Sequence, residues 1–169
     1  MASQDIADTN TRYTDIVGVA TGAAAALGVP GALSFGLDIT GMAAIWIGMM
    51  AKIAQRARPG AEPLDTGTMT RLLVGVFASA GAYWTGSKIL SGLIGWLLPG
   101  IGTGTAMTLN ALFNGAYTWR LGHTVANLFE RRDFDVTDID TMREVLVAAM
   151  RPIPTTRELR MVRDLLRAK

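Results

Sequence analysis

The chain contains no cysteine and only one histidine. Without cysteine there is no disulfide framework and no thiolate metal site. His123 has no carboxylate or second imidazole at ligand spacing, so a packing or interfacial role is expected for it, and neither a metal nor a cofactor. Charge is also scarce over long distances: Ile16 to Ala51 holds only Asp38, and Leu72 to Trp119 holds only Lys88. Stretches this poor in charge avoid water. A secretory signal is missing too, because residues 1–15 carry three aspartates and Arg12 and no apolar segment, so the amino terminus is expected to stay where it is made. The net charge of +2 is too small to point to nucleic acid.

What is present is apolar and helical in pattern. Half of the 169 residues are hydrophobic, ample material for one domain. Two Pro-Gly steps, Pro30-Gly31 and Pro99-Gly100, interrupt the apolar stretches, and Gly102 follows the second. Proline and glycine stop a helix and turn the chain, so each step predicts a hairpin tip. An all-α fold is expected: four up-down helices, about Ile16 to Gly28, Ala32 to Ala54, Met69 to Leu98 and Gly104 to Arg131, forming two hairpins joined by the polar linker RARPGAEPLDTG. Beyond Arg131, two shorter helices are expected from the capping-box patterns Thr141-x-x-Glu144 and Thr155-x-x-Glu158. The second is amphipathic, with leucine and valine on one side and Arg157, Arg160, Arg163 and Arg167 on the other. The chain thus divides into a polar segment 1–15, a helical-hairpin region 16–134 and the carboxy-terminal helices 135–169.

Lipid is the expected environment of the hairpins. The run Leu72 to Leu98 holds one charge and as a helix is about 40 Å long, against a hydrocarbon thickness of roughly 30 Å. Arg56 and Arg58 in the linker, and Arg131 and Arg132 after the fourth helix, lie away from the uncharged tips. Up-down connectivity puts them on one side, as the positive-inside rule expects of a cytoplasmic face, and both termini join them there. The first helix is short of spanning, so its hairpin is expected to be re-entrant or docked. A soluble oligomeric bundle is the alternative, and a homo-oligomer is expected in either case.

Motifs for chemistry are weak. GAYWTGSK, residues 81–88, has phosphate-loop spacing but ends Ser-Lys-Ile in place of Lys-Ser/Thr. The aspartates at 133, 135, 138 and 140 surround a helix start, where acidic groups stabilise the dipole. Asp38, Lys88, Asn110 and Asn114 are expected to form an inward-facing polar layer, since isolated charges in lipid are costly and pair. With Ala106 and Thr118, the two asparagines form a stripe at four-residue spacing, suited to close helix approach. No enzyme activity is expected, because no nucleophile, base and orienting group occur together.

From about Gly28 to Phe134 the chain resembles the YcjF-like domain-of-unknown-function family 697. The resemblance lies in VPGALSFGLDITGMAAIWIGMMAKIA and in LLPGIGTGTAMTLNALFNGAYTWRLGHTVANLFERRDF. Its pattern is met by Pro99, Gly100, Gly102, Thr103, Asn110, Thr118, Leu121, Gly122 and Phe129. AAIWIGMM, after Asp38, is more apolar than that family's pattern. The resemblance implies membrane association and a GTPase partner, with no established reaction. The expected function is a non-enzymatic interaction or anchoring module at the inner or plasma membrane, with a self-assembling pore or scaffold as the alternative.

Overall fold

The computed structural model describes residues 2–31, 35–60, 62, 65–79, 102–135 and 138–168, with side chains except at 2–9, 29–31, 35–39 and 102–106. Among these residues the fold is all-α. The helices are α1 (Ala2–Gly31), α2 (Phe35–Ala57), α3 (residues 66–79), α4 (Gly102–Glu130), α5 (Ile139–Met150) and α6 (Thr156–Arg167).

The first helix starts well before the expected Ile16. Asp5 and Asp8 fall in its opening turns, a position that favours acidic residues, and residues 2–15 are helical and continuous with the apolar part. Pro30 and Gly31 are the last residues of α1. At the other end of α2 the chain leaves the helix through Arg58, Pro59 and Gly60. Proline cannot prolong the helix, and Gly60 takes φ +87°, a left-handed conformation that favours glycine. Asp65 then opens α3 by accepting the Thr68 backbone N–H at 2.7 Å.

Contacts along the helices fix their directions. Asn110 meets Gly28, Gly115 meets Thr21 and Ala25, Gly122 meets Val17, and Glu130 meets Arg12, so α1 and α4 run antiparallel. Gly41 lies against Leu27, making α2 antiparallel to α1, while Trp46 meets Thr118 and Met49 meets Gly122, making α2 parallel to α4. Helix α4 lies at the centre and packs against α1, α2, α5 and α6. Small residues permit this. A Cβ on Gly28 would lie 2.6 Å from the Ala111 Cα, so the two backbones touch there. The core around the seam includes Tyr13, Val17, Met42, Trp46, Met50, Leu121 and Phe129, all essentially inaccessible to water. From α3, Met69, Leu72, Leu73 and Val76 join it, and Phe77 stacks on Trp46 at 5.2 Å.

After Glu130 the chain doubles back. Asp138, and not the expected Thr141, caps α5, accepting the Thr141 backbone N–H at 3.0 Å. The first capping-box expectation is therefore corrected: a carboxylate three residues upstream caps as well as a hydroxyl and lets α5 begin at Ile139. The second box forms as expected, with Thr155 and Glu158 capping each other's backbone. Among the described residues, no helix is long and apolar enough to cross a membrane. The expected span Leu72 to Leu98 lies outside the described residues beyond 79.

Candidate functional site

Helix α4 carries the polar groups that sequence spacing singled out. Asn110, Asn114 and Thr118, one helical turn apart, are all buried, as an i, i+4 stripe facing a neighbour must be. The Asn110 side-chain amide donates to the Gly28 carbonyl at 2.6 Å, and the Trp46 indole N–H donates to Thr118 Oγ1 at 2.8 Å. Thr21 joins this column from α1, fully buried. Of the expected polar layer, the Asp38 side chain and Lys88 lie outside the described residues, as do Pro99 and Gly100; Gly102 is the first residue of α4.

Several arginines of the expected basic face staple helix ends. Arg56 forms a bidentate pair with Asp15 at 2.5 and 2.8 Å and donates to the Arg12 carbonyl. Its hydrogen bonds hold the Asp15 carboxyl down at about 2. Arg58 donates to the carbonyls of Arg131 and Phe134, and Arg131 pairs with Asp133 at 2.8 Å. Beside them Tyr13 donates its hydroxyl to Glu130, which also pairs with Arg12. Burial and then the Glu130 carboxylate push the Tyr13 phenol well above its ordinary range. These contacts tie α1, α2 and α4 together at the linker end. Arg132 is exposed there.

Val162 packs against Gly115, where a Cβ would be 2.6 Å from it, and Leu165 lies over Gly18, so α6 crosses the middle of α1 and α4. Val162 is buried and Leu159, Leu165 and Leu166 are half-buried, while Arg157, Arg160, Arg163 and Arg167 are exposed and Arg163 pairs with its neighbour Asp164. The helix is held at its start by Arg120, which forms a bidentate pair with Glu158 at 2.8 and 2.6 Å and donates to the carbonyls of Ala149 and Pro152. Burial opposes ionisation of Glu158, yet the hydrogen bonds from Arg120 and Thr155 outweigh it and keep its carboxyl below the usual range. Sequence reading took Glu158 only as a cap. Its second partner sits 38 residues away, beyond any local signal.

His123 lies one turn beyond Trp119, edge to face at 4.5 Å. It is buried, neither ring nitrogen has a hydrogen-bond partner, and burial lowers its pKa. Among the described residues, no group of three or more His, Asp or Glu side chains could hold a metal. The Asn110 and Thr118 side chains instead join α4 to α1 and α2. No family model, no curated protein and no solved structure matches this chain.

Proposed function

We propose that the chain is a non-enzymatic helical interaction module that works at an anionic membrane surface. The observation that carries this is the seating of α6: Val162 and Leu165 pack on Gly115 and Gly18, and its outward side presents Arg157, Arg160, Arg163 and Arg167. Such a helix adheres through charge and not by burying its apolar stripe in lipid. Each basic residue near an anionic leaflet contributes about 1 kcal/mol, and the attraction fades within about 8 Å at physiological salt. The resemblance to the YcjF-like family adds a GTPase-type partner, for which Arg132 and the exposed loops at the linker end are a separate landing surface. Sedimentation with vesicles tests the proposal: binding to phosphatidylserine-containing vesicles, loss in high salt, and loss in R160E/R167E are expected. Equal binding to pure phosphatidylcholine vesicles refutes it.

A second reading, self-association, is favoured by an open groove of about 720 Å³ between α1 and α2, lined by Ile16, Val19, Ala23, Ala44 and Ile45. Val19 is 61% exposed. Sedimentation equilibrium of Val19→Glu tests it, a shift from oligomer to monomer being the expected result.

A further inference from the structure

A second concavity, of about 430 Å³, lies where the early part of α1, the middle of α4 and the start of α6 meet. Its volume is in the range of small-molecule sites, about 300–1,000 Å³. Asn10, Trp119, His123, Thr124, Asn127 and Arg157 line it. Two of these carry buried polar atoms without a hydrogen-bond partner: Asn10 Oδ1 and both nitrogens of His123. His123 is 91% shielded from water, at 9% exposure. Most buried polar side chains find a partner, and an unpaired one is costly; these atoms lie just beneath the cleft wall, closed to solvent, so a ligand satisfies them by displacing the wall.

The charges define what kind. Arg120 and Glu158 also line the cleft, but they are bound to each other and present no net charge. Arg157 is the remaining charged lining residue and has no ion pair among the described residues. A guanidinium is matched in geometry by a carboxylate, which takes two parallel N–H bonds. Trp119 and Met161 supply an apolar wall beside it. We propose that this cleft binds a small organic carboxylate with an apolar or aromatic body, the carboxylate held by Arg157, the body laid on Trp119 and Met161, and the His123 imidazole donating to a ligand oxygen. The site shares Arg157 with the membrane-facing row and uses none of Arg160, Arg163 or Arg167.

His123 is the only histidine of the chain, so its imidazole NMR signals are assigned by composition alone. Benzoate and inorganic phosphate are the probes, titrated into the full chain. Saturable displacement of the His123 signals by benzoate is expected, weakened about tenfold or more in Arg157→Gln through loss of a charge-assisted bond. Arg160→Gln, on the same helix, should bind as the parent does and so separates the cleft from general surface charge. Retained affinity in Arg157→Gln overturns the assignment. So does a phosphate response equal to that of benzoate, which marks a bare oxyanion site, or no displacement up to about 10 mM, weaker than a millimolar constant, in protein whose remaining spectrum is that of the fold.

Discussion

Gly28→Ala should be among the most damaging single-methyl changes in this protein. The new Cβ would stand 2.6 and 2.7 Å from the Ala111 Cα and N and 2.9 Å from the Asn110 carbonyl carbon. All three are backbone atoms of α4, so no side chain can swing aside. Ordinary contact begins at 3.4 Å, so the helices must part by about 0.8 Å in a close-packed seam. Overpacking of this kind costs about 1–3 kcal/mol, and weakening the Asn110 to Gly28 hydrogen bond adds about 1 kcal/mol. Alanine recovers about 1 kcal/mol through its better helix propensity. The expected net loss is about 1–3 kcal/mol, or about 2–12 °C in Tm for a chain of this size. Gly48→Ala is the matched control. A Cβ there meets nothing within 4 Å, so only the propensity gain of about 1 kcal/mol remains. Urea unfolding followed by circular dichroism reads both, as midpoint shifts at constant m-value. If Gly28→Ala is neutral or stabilising like Gly48→Ala, α1 and α4 do not meet backbone to backbone and the seam described above is wrong.

Thr118→Val removes the acceptor of the buried Trp46 indole N–H and should cost about 1–3 kcal/mol; adding Trp46→Phe should cost less than the sum of the singles, and additivity in the double-mutant cycle would refute the coupling. Arg120→Met breaks a pair whose side chains are 17% and 25% exposed and releases two carbonyls, so a loss of about 2–3 kcal/mol is expected, with amide exchange rising first in α6. For pH, the folded His123 is harder to protonate than its 6.5 reference, so the unfolded chain binds protons first and stability rises with pH. That contribution is complete above about pH 6.5 and is lost as the pH falls below it, and His123→Gln should flatten this part of the urea-midpoint profile. Asp15, lowered from 3.8 to about 2, acts at more acid pH, its stabilisation present above 3.8 and lost as pH falls through 2; Arg56→Gln should remove that lower step.

The helices were legible because their causes are local. Apolar runs broken by Pro59 and Gly60, the Thr155 box and the four-residue stripe of Asn110, Asn114 and Thr118 each act over a few residues, and the structure uses them as their spacing implies. The start of α1 was missed because a polar composition was taken to end a helix, whereas Asp5 and Asp8 favour one by their position at its amino end. Which surfaces face which was not local. The arginines at 56 and 58 look alike in sequence to those at 160 and 167, yet the first two bond carboxylates and carbonyls brought from up to 76 residues away. Likewise nothing near Val162 shows that its stripe will be filled by Gly115, and nothing near His123 shows that Asn10 and Arg157 will stand around it. A side chain's helical face follows from a period of a few residues, but its partner depends on how whole helices cross, and that is set by the glycine notches and buried volumes of the assembled core.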